Sequence, residues 1–141
     1  MILPDVNVLI YAFRNDSADH DRYRAWLSGV VNSPQPYGIS PQVLAAVIRV
    51  TTHPRIFARP TKLEDAFAFT RVLLEQPNAA QIVPREHHWG IFEALCRKSA
   101  ATGNLAADAW FAALAIESGC EWITTDRDYA RFERLKWRTP W

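Results

Sequence analysis

The chain has 141 residues, 49% of them hydrophobic, and a formal net charge of +1. This suits a single domain with one core and excludes a disordered chain. No apolar run approaches the ~20 residues of a membrane span, and the small net charge excludes a global basic field that would bind nucleic acid unaided.

Ile2-Leu3 reads as a very short strand ending at Pro4, which has no N–H to extend a ladder. With an acid as early as Asp5 and no basic stretch before it, no signal peptide is expected. Val6 to Phe13 reads as a helix. A second helix is predicted from Asp19 to Val30, with Tyr23, Trp26, Leu27 and Val30 on one side. A turn over Asn32 to Pro36 leads into a strand at Tyr37 to Ile39. Ser40-Pro41 is a helix start, a hydroxyl cap followed by proline at the first helical position. Val43, Leu44, Val47, Ile48 and Thr51 form its inward stripe, and Pro54 ends it. Thr61 is expected to cap the next helix, which runs through Glu75, with Glu64 completing a capping box. A strand at Gln81 to Val83 and a helix from Glu86 to Ala101 follow. Leu105 to Ser118 is helical and is closed by Gly119. A strand at Glu121 to Thr125, a short helix at Tyr129 to Arg134 and an edge strand at Leu135 to Trp137 complete the chain.

Short strands alternating with helices predict an α/β fold, one domain over 1–141, with a mainly parallel central sheet flanked by helices. In such sheets, sites form at the carboxyl ends of the strands. Asp5 stands just past the first strand, and Asp126 and Asp128 just past the strand at Glu121 to Thr125. Asp108 lies in the first turn of the helix from Leu105 and heads a stripe of Phe111, Ala112, Ala115 and Gly119. An unpaired carboxylate heading an apolar stripe is costly, so something must compensate it. Taken singly, Asp5 could cap the following helix through the amide of Asn7 or Val8, Asp108 could favour the helix dipole, and Asp126 and Asp128 could be turn residues paired with Arg127 or Arg131. Taken together, acids at strand ends converge, and crowded carboxylates repel unless a cation holds them. An all-oxygen ligand set of this kind fits Mg²⁺ or Mn²⁺ rather than zinc.

Other features read as structural. Cys96 and Cys120 lack metal-ligand spacing and fit a reducing, cytoplasmic setting. His87 and His88 are assigned capping or surface roles. The tryptophans are assigned mostly to packing, with Trp110 at a subunit contact. The stripe Phe67, Val72, Leu73 and Leu74 is either core or a partner groove. From Arg22 to Leu63 there is no Asp or Glu, while Arg22, Arg24, Arg49, Arg55, Arg59 and Lys62 are present, candidates for a phosphate track beside the acids.

Three blocks carry a family resemblance. Asp5-Val6-Asn7-Val8-Leu9, Gly103-Asn104-Leu105-Ala106-Ala107-Asp108 and Thr124-Thr125-Asp126-Arg127-Asp128-Tyr129 occur in that order. Together they resemble the PIN-domain nucleases, and among them the VapC-type toxins, over nearly the whole chain. The resemblance implies hydrolysis of RNA phosphodiesters with Mg²⁺ or Mn²⁺, leaving 5′-phosphate and 3′-hydroxyl ends. Asp5, Asp108 and Asp126 would hold the ion, with Asp128 a further candidate and Asn7 and Thr124 in support. It also implies a homodimer and neutralisation by a VapB-like antitoxin. A haloacid dehalogenase-type phosphatase also opens strand-then-Asp, but it needs a second Asp where this chain has Asn7.

The sequence departs from the family at one point. In the block beginning Ser40-Pro41 the usual glutamate position falls on Ala46, and residues 42 to 50 contain no acid. Either the site is naturally weakened or a glutamate was replaced to disarm it; the intact acid motifs elsewhere favour replacement. The chain as written is expected to be slow or inactive. The rival reading is a non-catalytic module that grips RNA or an antitoxin.

Overall fold

In the computed structural model, which describes residues 1–141, β1 (Ile2–Pro4) runs parallel to β4 (Glu121–Ile123), with Pro4 opposite Ile123. β4 in turn pairs in parallel with β5 (Trp137–Arg138). A second parallel pair joins β2 (Tyr37–Ile39) to β3 (Ala79–Gln81). Gly38 brings this pair hard against β1: a Cβ there would lie 3.1 Å from the Ile2 carbonyl oxygen and 3.0 Å from Ile82 Cγ1. Every strand pairing is parallel, in keeping with the expected α/β fold.

Six helices surround the strands: α1 (Val6–Phe13), α2 (His20–Val31), α3 (Pro41–Thr51), α4 (Leu63–Leu74), α5 (His88–Ser99) and α6 (Asn104–Ser118). The start of α3 follows from its sequence, since the Ser40 hydroxyl accepts from the Gln42 N–H and Pro41 occupies the first turn. Gly119 ends α6 in the left-handed conformation that the missing Cβ permits. The buried face of α6 is Ala109, Ala112, Ala113 and Ala115, small enough to let its backbone approach closely. Leu3, Val8, Leu9, Val43, Val47, Leu114, Trp122 and Ile123 are fully buried around it, each large side chain adding roughly 1.5–3 kcal/mol. Trp122 lies between Phe111 and Tyr129, at ring distances of 5.7 and 5.5 Å.

Several boundaries differ from the sequence reading. The strand expected at Gln81 to Val83 is β3 at Ala79–Gln81, because Tyr37 pairs with Ala79 and Ile39 with Gln81. The helix expected at Tyr129 to Arg134 is a 3₁₀ turn over Arg127–Arg131, with Asp126 as its cap. Thr61 caps nothing: α4 starts after Lys62 without a side-chain cap, and the Thr61 hydroxyl instead accepts from Arg14 Nη1 at 3.0 Å. The Arg14 guanidinium is buried, forks onto both carboxylate oxygens of Asp16, donates to the Arg59 carbonyl and lies 3.7 Å from the Phe57 ring centroid. It fastens the 52–62 segment to the end of α1. His88 is a core residue rather than a cap, with Nε2 3.0 Å from the Trp110 carbonyl. In the α4 stripe only Leu73 is buried, while Phe67, Val72 and Leu74 are exposed. Both cysteines are free.

Candidate active site

Because β1 and β4 are parallel and in register, the residues that follow them emerge at one edge. Asp5 leaves β1, donates its backbone N–H to the Ile123 carbonyl at 2.9 Å and caps α1. Its side chain is buried and both oxygens are held. Oδ1 accepts the Val6 N–H at 2.6 Å, one residue earlier than the amides expected from the sequence, and Oδ2 accepts the Thr124 hydroxyl at 2.6 Å. Burial pushes the Asp5 carboxyl up to about 6; the Thr124 and Val6 hydrogen bonds oppose this, and the charges of Asp108 and Asp126 add to it.

Thr124 follows β4 and is fully buried. Its oxygen accepts from Asn7 Nδ2 at 3.1 Å and from the Asp126 backbone N–H at 3.0 Å. Asn7 Oδ1 is buried with no partner. Asp126 Oδ1 accepts the Asp128 N–H at 2.8 Å, the turn that opens the 3₁₀ segment. Asp128 is exposed and 3.7 Å from Arg131, so it stands at the rim.

Asp108 comes from the other side, on α6. That helix begins at Asn104, so Asp108 lies beyond its first turn, where the macrodipole does little for it. Burial raises its carboxyl above the usual range, the charges of Asp126 and Asp128 raise it further, and the Tyr129 hydroxyl opposes them. Tyr129 is itself buried; burial and the charges of Asp5, Asp108 and Asp126 hold its phenol protonated well above the usual range. The sequence reading took Tyr129 as a helix start and as the last residue of the Thr124-to-Tyr129 block, and missed its hydroxyl as a partner of Asp108. The signal was its position immediately after Asp126-Arg127-Asp128.

The fold thus brings together Asp5, Asn7, Asp108, Thr124 and Asp126, with Asp128 at the margin. It leaves Ala46 half-buried on α3, a helix without any acidic residue. The acids feel one another's charge, yet no three of them stand close enough to enclose an ion unaided. A cation such as Mg²⁺ keeps several waters and takes one or two carboxylates directly. The all-oxygen donor set and the mutual repulsion of the acids fit such an ion.

Three of the six basic residues between Arg22 and Lys62 meet elsewhere. Arg24, Arg59 and Lys62 line a groove of about 1050 Å³ with Phe13, Phe69 and Val72, at the carboxyl end of α1. Asp5 caps the opposite end of that helix, about 12 Å away at 1.5 Å per residue. Arg22 instead stacks over Trp141, 4.0 Å from its ring centroid.

Comparison with known proteins places these features in context. A family model described as PIN domain matches residues 2–135. The chain is 44% identical over 140 residues to VapC ribonuclease Mb2897 of Mycobacterium bovis, covering 99% of this chain and 95% of that protein. It is 36% identical over 140 residues to ribonuclease VapC25 of Mycobacterium tuberculosis, covering 99% of each. Among solved structures it resembles VapBC2 of Rickettsia felis bound to a promoter DNA fragment, with a TM-score of 0.68 and 19% identity over 99% of this chain and 98% of that one.

Proposed function

Since the chain belongs to the PIN-domain family, in its VapC group, we propose that it is a divalent-metal-dependent endoribonuclease toxin, one domain throughout, acting in the cytoplasm and restrained by a VapB-like antitoxin. One observation carries this reading: Asp5, Asp108 and Asp126 come from three separate elements to a single strand-end edge, where the charges of Asp108 and Asp126 add to the upward shift of the Asp5 carboxyl and the charge of Asp126 adds to that of Asp108. Uncompensated, that crowding is unfavourable, and a cation removes the cost.

In this reading Asp5, Asp108 and Asp126 hold Mg²⁺ or Mn²⁺, some of them through water, and Asp128 helps from the rim. Such an ion supplies an activated water and offsets the charge that builds on the phosphoryl oxygens. Asp5 contributes a carboxylate that cannot swing away, since both of its oxygens are engaged. Tyr129 contributes a hydroxyl that stays protonated and donates toward Asp108. Ala46 contributes no ligand, so the α3 side of the site is short of negative charge and turnover is slow.

The groove of Phe13, Phe69, Val72, Arg24, Arg59 and Lys62, which Asp16 and Asp65 also line, is the surface assigned to the antitoxin. A homodimer is assigned to the aromatic face where exposed Trp89 packs on Phe92 and Trp110. The absence of an acid on α3 also favours a second reading, a non-catalytic module that grips RNA or antitoxin. Cleavage of RNA by this chain with Mn²⁺, with a chelator, and with Asp126→Ala decides the first reading. Cleavage that the chelator and the substitution both abolish supports it; cleavage that survives either one contradicts it.

A further inference from the structure

The acid edge carries Asp5, Asp108, Asp126 and Asp128, and one divalent ion offsets only part of their charge. An RNA strand adds a negative charge at every phosphate, so its backbone needs a cation of the protein beside that edge. The run from Arg22 to Lys62 is engaged elsewhere. Arg24, Arg59 and Lys62 line the groove at the carboxyl end of α1, and Arg22 stacks on Trp141. Arg49 lies in the last turn of α3, and Arg55 follows that helix. Within the three blocks that carry the acids, the one basic residue is Arg127.

The other cations beyond Gly103 are accounted for. Arg131 faces Asp128 at 3.7 Å, and Arg138 holds Glu121, at the start of β4, at 3.0 Å. Lys136 precedes β5 and accepts the Trp122 N–H on its carbonyl, which places it toward the amino end of the sheet. Arg134 lines a cavity with Ile116 and Glu117, and Glu117 lies about 14 Å along α6 from Asp108. Arg127 is exposed at the acid edge and forms no ion pair, although an aspartate precedes it and another follows. The turn accounts for this: Asp126 Oδ1 folds back onto the Asp128 N–H, and Asp128 faces Arg131 instead.

We propose that Arg127 is a substrate-binding residue, whose guanidinium grips a phosphate of the RNA strand beside the acids. A planar fork matches two phosphate oxygens at once. The 3₁₀ turn capped by Asp126 fixes its main chain one residue from that acid. It holds no ion and moves no proton. The inference rests on the reading of the chain as a ribonuclease.

The test is binding of a fluorescein-labelled single-stranded RNA in Ca²⁺, read by anisotropy over a series of KCl concentrations. Wild type, Arg127→Ala, Arg127→Lys and Arg134→Ala are compared, and Mn²⁺ affinity is measured on each by calorimetry. Arg127→Ala is expected to weaken RNA binding roughly 10-fold and to reduce the salt slope by ~0.7, the loss of one phosphate contact on a single strand. Arg127→Lys is expected to recover the slope and to bind less tightly than wild type, since it keeps the charge without the fork. Arg134→Ala is expected to match wild type. Mn²⁺ affinity is expected not to fall in Arg127→Ala, because a cation beside the acids only opposes the ion. A wild-type slope in Arg127→Ala overturns the proposal, and so does an alanine-like slope in Arg127→Lys or an equal loss in Arg134→Ala. A parallel fall in Mn²⁺ affinity also overturns it, since Arg127 would then act through the acids. If the wild type binds no RNA, the ribonuclease reading falls and the proposal with it, an outcome distinct from these.

Discussion

The Thr124 hydroxyl donates to Asp5 Oδ2 at 2.6 Å, joining residues 119 positions apart. The bond exists because β1 and β4 pair in register, so that the first residues beyond each strand meet. It makes the acidic edge a consequence of strand order, and it leaves Asp5 both desolvated and hydrogen-bonded. These opposed influences have measurable effects on the free protein.

Asp5 makes stability pH-dependent in the direction opposite to most carboxylates. Its pKa is raised from 3.8 to about 6 on folding, so the folded state binds more protons than the unfolded state between those values. Stability therefore falls as pH rises through that window and levels off above it, by up to ~3 kcal/mol for this one group. Urea unfolding from pH 4 to 7 reads this directly. Asp5→Ala should flatten that part of the profile; parallel profiles for the two proteins would show that Asp5 titrates normally.

Asp108 is raised by burial and by Asp126 and Asp128. Asp108→Asn relieves that repulsion while removing a ligand. Because the side chain is only half-buried, the gain is modest, up to ~1 kcal/mol, or roughly 2–4 °C in melting temperature at neutral pH. Added Mn²⁺ should stabilise the wild type and not the variant. A variant that melts lower than wild type without metal contradicts the assigned repulsion.

Arg14 is the fastening of the 52–62 segment. Replacing it with alanine unpairs Asp16, Thr61 and the Arg59 carbonyl together. The expected cost is about 2–3 kcal/mol, since these are charge-assisted bonds from a buried group. Amide exchange should rise through 52–62 and α4's first turn before it rises elsewhere. Uniform exchange across the chain would show that Arg14 supports the core rather than this segment.

Gly38 has no room for a side chain, with the Ile2 carbonyl 3.1 Å from an added Cβ. Ile82 can shift, but the β1 backbone can move only by spreading the strands. Gly38→Ala is expected to cost about 1–3 kcal/mol in denaturant unfolding. A neutral effect would mean that the two strand pairs are loosely joined.

Much of this architecture was legible in the chain. Pro4 and Ser40-Pro41 fix their boundaries through local chemistry that no tertiary contact overrides, Asp5 and Asp126 stood out as acids just past strands, and Asp108 stood out as an acid heading an apolar stripe, which is costly unpaired. What failed was decided at long range. Thr61 had a good capping sequence, but its hydroxyl serves a guanidinium 47 residues away. His88 carries no pattern that distinguishes a surface histidine from one buried against Trp110. The arginines share a run without acids, yet helix direction carries several of them to the end of α1 away from Asp5. Tyr129 took its meaning from the acids around it, which only the folded chain assembles.

The most direct measurement is RNA cleavage with Mg²⁺ or Mn²⁺, run side by side on this chain and on Ala46→Glu, each with and without a chelator. The acidic strand-end site predicts that Ala46→Glu cuts faster than this chain and that the chelator stops both. If neither protein cuts RNA, the acids are not a nuclease site, and the fold serves binding alone.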